Sequence, residues 1–203
     1  RVLVRFGRGY QAVEPAKGGL LWSGPMVLGD NGIGKLDRTQ LDQLMNGRRL
    51  ELSFGVDNDA FEWTATTRPE DMADQLTLIA TKMVHPGWSP APVERAKAIA
   101  SSDYESFQMS APAMMQRDLQ YLTTGKDLRF KIPTPAEVKA LTPKAFRSYW
   151  EPMLASGPVE VLLFGDFKRE AAVAALEKSF GAMAKRVAMS LPVGADATTF
   201  PAT

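Results

Sequence analysis

His85 is the only imidazole in the 203-residue chain, and there is no cysteine. A catalytic zinc takes three protein ligands, mostly His and carboxylate, and keeps a fourth position for water. Neither H-E-x-x-H nor H-x-x-E-H can be written with one histidine. Asp57, Asn58 and Asp59 stand together, but they separate two alternating runs, where a hairpin turn selects these residue types. They are read as a turn and not as a cation site. A Ser-His-Asp arrangement would need the same His85, beside Pro86 at the end of a helical pattern, where an imidazole is simply a good partner for the helix dipole. Ser23, in Leu21-Trp22-Ser23-Gly24, lacks the G-x-S-x-G elbow. The absence of cysteine removes thiol nucleophiles, Cys-ligated zinc, iron–sulfur clusters and disulfide frameworks together, and says nothing about compartment.

Gly29, Gly34 and Lys35 satisfy most of the phosphate-loop pattern G-x-x-x-x-G-K-[ST], but Leu36 stands where the magnesium-binding hydroxyl belongs. The run also follows no parallel-sheet strand. It is read as a glycine-rich connection, with a nucleotide-binding protein as a third alternative. Met72, Met83, Phe107, Met114, Met115, Tyr149 and Trp150 fall on helical faces, which points to packing and not to a cofactor box.

Bulk properties narrow the partners. The 24 basic and 23 acidic residues leave 24 − 23 = +1, without the basic stripe of a nucleic-acid binder. With 45% hydrophobic and 23% charged residues the chain reads as globular. Its longest apolar stretches are about five residues, against the ~20 that span a bilayer, so no transmembrane segment is expected. A start at Arg1, with no Met and no basic-then-apolar leader, reads as a fragment or processed product.

These residues must be positioned by recognisable elements. Val2, Val4 and Phe6 alternate with Leu3 and Arg5, predicting a strand over 1–6 that turns at Gly7 and Gly9. An apolar stretch at 20–28 suits a short helix, weakened by Gly24 and Pro25. Asp37 and Gln40 form a capping box for a helix with Leu41, Leu44 and Met45 inward. Leu50, Leu52 and Phe54, then Phe61, Trp63 and Ala65, predict a hairpin. Thr67 with Glu70 is a second capping signature, ahead of Met72, Leu76, Ile79 and Met83 at helical spacing. A long helical stretch over 92–122 breaks where Ser110 and Pro112 offer a new cap. Thr134 to Glu137 and Thr142 with Pro143 open two further helices. A strand over 159–164 and a helix over 169–180 complete the order. The fold class is α+β: a mostly antiparallel sheet with helices packed on one face. Residues 1–184 form one domain, and 185–203, with Pro192, Gly194 and Pro201, a linker or severed terminal element.

In this order the motifs are familiar. Gly7, Glu14-Pro15, Gly19-Leu20, Gly32-Ile33-Gly34-Lys35-Leu36, Pro86-Gly87-Trp88 with Glu94-Arg95, Pro133-Thr134-Pro135, Leu141-Thr142, Leu163-Phe164-Gly165-Asp166 and Phe180-Gly181 follow one another across residues 1–183. The chain resembles a domain of the pitrilysin, insulinase and mitochondrial processing peptidase superfamily of inverted-motif zinc peptidases. The resemblance implies a zinc-peptidase-like α/β roll. It also implies that His-x-x-Glu-His follows the Gly-Leu pair at fixed offset, and here Gly19 puts Trp22, Pro25 and Met26 in those places. The third ligand, a Glu of the long helix, falls near Ala100 and Ser101.

The resemblance therefore implies a non-catalytic domain, most like the opening domain of the C-terminal half of a tandem bacterial member. Such a domain helps enclose a peptide chamber and is no enzyme by itself. It holds no cofactor, zinc being in the catalytic domain of the parent or partner. Its partners are other peptidase domains of the same chain, with a peptide substrate. The alternative is an inactive subunit pairing with a separate catalytic partner. Periplasmic relatives make that compartment an implication of the resemblance alone, and the substrate-contacting residues are unassigned.

Overall fold

A computed structural model of the chain describes residues 1–190 and 192. Alternation in the first residues makes β1 (Val2–Phe6), with Val2, Val4 and Phe6 buried. The two later alternating runs make β2 (Leu50–Val56) and β3 (Phe61–Thr67). Their connection is the expected turn: the Asp57 N–H donates to Ala60 O at 2.8 Å, and the Asp57 carboxylate accepts the Asn58 N–H at 2.7 Å. The fourth strand, β4 (Val159–Leu163), pairs with the other side of β1. All pairings are antiparallel, in the order β2-β3-β1-β4, and Val4 lies opposite both Trp63 and Val161.

Period-2 geometry then gives the sheet two chemically different faces. One carries Val4, Phe6, Phe54, Phe61 and Trp63 into the core. The other carries Arg5, whose guanidinium meets Asp59 at 2.6 Å, Glu62 at 3.1 Å and Glu160 at 3.6 Å. Among the described residues the α-helices are α1 (Ser23–Val27), α2 (Arg38–Leu44), α3 (Met72–Val84), α4 (Pro90–Ser106), α5 (Ala111–Thr123), α6 (Pro135–Ala140), α7 (Pro143–Ala155) and α8 (Arg169–Lys178), of which α1 packs on β2 and α3 on β3. The fold is α+β, as the pattern predicts.

Local capping sets several boundaries. Both capping boxes at Asp37/Gln40 and Thr134/Glu137 are made, and Ser110 and Thr142 cap α5 and α7 by accepting the Ala113 and Ala145 N–H groups. The core is aromatic where α7 meets the hairpin: Trp150 sits 5.5 Å from both Phe54 and Phe61 in edge-on geometry. Gly24 permits this. A Cβ there would overlap the Trp150 ring, so the glycine that weakens α1 as a helix is what lets α7 approach it. The Trp150 Nε1–H donates to Ser23 Oγ at 3.0 Å.

Four expectations are corrected. Leu44 points to solvent, 63% exposed, because the seven-residue α2 buries only Leu41. Thr67 and Glu70 form no capping box. Pro69 opens a 3-10 turn, Pro69–Asp71, and Arg68 and the Arg49 N–H both bind Asp71 instead. The last helix stops at Lys178, and a separate 3-10 turn, Phe180–Ala182, follows it. Finally, Met72, Met83 and Trp150 are buried and Phe107 and Tyr149 half-buried, but Met114 and Met115 are exposed.

Two cations tie the layers without any carboxylate. Lys82 of α3, 2% exposed, donates to Leu28 O at 3.3 Å, to Asn31 Oδ1 at 2.8 Å and to Asn31 O. Arg186 donates to Leu154 O at 2.8 Å, one of the orphan carbonyls of the last turn of α7, and to Ser156 O at 2.5 Å and Gly157 O at 2.9 Å just beyond it. Val187 bridges Ser156 in parallel, so the chain at Arg186 and Val187 is held to the end of α7. The rest of the segment read as a linker, 191 and 193–203, lies outside the described residues.

Candidate functional site

Trp22 stands at the N-cap of α1, Pro25 is exposed in its first turn, and Met26 is half-buried. Helix α1 packs between β2 and α4, the helix that carries buried Ala100 and half-buried Ser101. The fold therefore brings together the two helices on which the resemblance places metal ligands. Their residues do not fit a zinc ion: an indole, a pyrrolidine ring, a thioether, a methyl and a hydroxyl supply neither imidazole nor carboxylate. Among the described residues there is no group of three or more His, Cys, Asp or Glu that could hold a metal.

Trp22 and Pro25 instead border a cavity of about 230 Å³, with Tyr10, Val56, Phe130 and Ile132 among its walls. Tyr10 and Phe130 lie 4.7 Å apart, ring to ring. Their loops are held by a buried pair in which Arg129 binds Asp127 at 2.6 Å and reaches back to Tyr10 O at 3.1 Å. The Asp127 carboxylate also accepts the Arg129 N–H at 2.9 Å, capping the 3-10 turn Leu128–Phe130. Burial, with a smaller push from Asp57, raises the Tyr10 phenol above its ordinary pKa. Lys131, another wall residue, is paired with Glu137 at 2.6 Å. The cavity walls are thus mixed: aromatic and aliphatic groups stand beside Gln120 and two cations, Arg129 and Lys131, that are already engaged.

Met26, Ala100 and Ser101 do not border this cavity. His85 is exposed at the C-cap of α3, and its side chain makes no hydrogen bond or ion pair among the described residues. The Ser23 hydroxyl is committed, donating to Leu20 O at 2.6 Å while accepting from Trp150. The glycine-rich run is a crossing and not an anion cradle. Gly34 N–H donates to His85 O at 2.8 Å, Leu36 N–H to Ile33 O at 2.9 Å, and Gly87 N–H to Gly32 O at 3.0 Å. These bonds occupy the donors of Gly34 and Leu36 that a phosphate would need. Tyr10, Phe130 and Ile132 were not singled out from the sequence; they lie far apart along the chain, and no spacing rule links them.

No protein-family model matches the sequence. The chloroplastic stromal processing peptidase of Pisum sativum is 24% identical over 173 residues, covering 84% of this chain and 14% of the plant protein. Among solved structures, the periplasmic protease PqqL from Escherichia coli aligns with a TM-score of 0.74 at 14% identity, over 94% of this chain and 21% of its own. A peptidase M16 inactive domain from Pseudomonas fluorescens aligns with a TM-score of 0.67 at 18% identity, over 93% of this chain and 46% of its own. The fold of the chain is the one seen in this periplasmic protease and in this inactive peptidase domain, and the chain spans about a fifth to a half of their length. In this chain α1 and α4 lie beside one another, and the side chains at positions 22, 25, 26, 100 and 101 are not metal donors. Among the described residues no helix is long and apolar enough to cross a membrane.

Proposed function

We propose that the chain is a non-catalytic domain of a zinc metallopeptidase, one wall of a chamber that encloses peptides, with zinc held in a catalytic domain elsewhere. One observation carries this reading: Trp22, Pro25 and Met26 stand at the start of and within α1, which packs against α4, the helix of Ala100 and Ser101, on a fold shared with peptidases and with a solved inactive domain. The cavity beside Trp22 supports a contacting role, since its walls set aromatic and aliphatic groups beside a few polar ones. Metal analysis and a peptide-cleavage assay on the purified chain test the proposal together. The expected result is no stoichiometric zinc and no chelator-sensitive cleavage. One zinc per chain, or cleavage abolished by a chelator, overturns it.

A further inference from the structure

Helix α5 is amphipathic, yet it lies with its apolar side outward. Its body-facing side is polar: the Arg117 guanidinium stacks 5.3 Å from the Tyr104 ring of α4 and binds Asp118 at 2.5 Å, and Tyr121 and Thr124 are half-buried beneath it. Its other side carries Met114, Met115, Leu119 and Leu122, which are 45%, 60%, 50% and 49% exposed, and the helix has no buried residue at all. Met109, just before the helix, is 84% exposed, and Ile99 of α4 is 53% exposed. Six of the eleven exposed large hydrophobics among the described residues thus fall between positions 99 and 122. A helix that packs only on its own domain places such a stripe inward. Methionine-rich apolar surface is the composition of an adaptable contact.

We propose that the outward face of α5 is the docking surface for an apolar helix of a second domain in the same polypeptide; this rests on the reading of the chain as one domain of a larger peptidase. Six side chains, 45–84% exposed, present on the order of 500 Å² of apolar surface, at the upper end of the largest patch on a typical monomer. Doubled across two partners, that is about 1,000 Å² of apolar area, enough for a specific interface, of which apolar atoms make up little more than half. Length selects the occupant. Solved relatives have the matching length, since this unit makes up 21% of PqqL and 46% of the Pseudomonas fluorescens inactive domain. The rim is acidic. Asp103 and Glu105, exposed near the end of α4, make no ion pair among the described residues, so the docking helix carries basic residues beside its apolar stripe.

Peroxide footprinting by mass spectrometry tests this, because sulfoxide formation follows the exposure of each thioether. The 203-residue chain and the full-length gene product are compared, with buried Met72 and Met83 as internal references. Met114 and Met115 are expected to oxidise about tenfold more slowly in the full-length product than in the chain at low micromolar concentration. Equal rates in the two overturn the proposal. Protection that grows with concentration of the chain alone identifies a second copy, and protection that appears only on adding peptide identifies a substrate surface; either also overturns it. A Met115→Glu, Leu119→Glu variant should leave the melting of the chain unchanged and abolish protection of Met114 in the full-length product. Zinc analysis of the same samples keeps the two readings apart. Protected methionines in a metal-free, inactive product would uphold docking and remove the peptidase role, and a zinc-loaded active product with unprotected methionines would do the reverse.

Discussion

Lys82→Met is the most informative perturbation of the core. The ammonium has three oxygen partners and no carboxylate, and it lies 5.7 Å from the centre of the Trp63 ring. Burial pushes its pKa from 10.5 down to about 7, Arg38 pushes the same way, and Asp30 and Asp42 oppose. In the unfolded chain the amine stays protonated to about pH 10.4. Between the two values the unfolded state binds one more proton than the folded state, so stability rises with pH. The slope is about 1.4 kcal/mol per pH unit when the folded amine is fully neutral. The penalty of burying the charge is therefore fully present below about pH 7 and is relieved as pH climbs towards 10. Methionine keeps the length of the side chain and removes the titration. It also leaves Leu28 O and the two Asn31 oxygens without this donor, at about 1–3 kcal/mol for each that stays unsatisfied. Urea unfolding of both proteins from pH 6 to 9.5, followed by the fluorescence of buried Trp63 and Trp150, should show a stability difference that widens in favour of the wild type. The gain is about 2–3 kcal/mol between pH 7.5 and 9.5. A difference that is flat across this range, or that shrinks as pH rises, refutes the reasoning; the second result would mean that the oxygen cage outweighs burial.

Three further changes report on separate parts of the fold. Gly24→Ala forces a methyl into the Trp150 ring and should destabilise by about 1–3 kcal/mol in chemical denaturation, with a change in Trp150 emission. Asp127→Ala removes the carboxylate bound to the buried Arg129 guanidinium and should cost about 3–5 kcal/mol, more than removal of the exposed Glu151 partner of Arg147, which should cost under ~1 kcal/mol. Thr134→Ala removes the α6 capping box and should cost about 0.5–2 kcal/mol, measured as a lowered urea midpoint with an unchanged slope.

The elements legible in the sequence are those decided within a few residues. The boxes at Asp37/Gln40 and Thr134/Glu137 close over one helical turn, and the Phe61, Trp63, Ala65 alternation needs only strand geometry. The Thr67/Glu70 box looked equivalent, but Asp71 is claimed by Arg49 from 22 residues away, a tertiary competitor that no local pattern reveals. Periodicity also shows which residues of α5 share a face without showing which face turns inward, which is why Met114 and Met115 were expected to be covered. The candidate site divides the same way. Trp22, Pro25 and Met26 follow from an offset counted from Gly19. The walls Tyr10 and Phe130 meet through Arg129, whose bond to Tyr10 O joins positions 119 apart.

The grip of Arg186 on the end of α7 has a mechanical consequence. Tension on the backbone after Ser190 reaches Val187 and then the Arg186 guanidinium, whose bond to Leu154 O leads into the helix that seats Trp150. With the Gly157 N–H bonded to Val187 O alongside, these contacts must break together before slack can appear. Load applied at Ser190 is therefore carried into the aromatic centre of the domain before residues 186 and 187 let go.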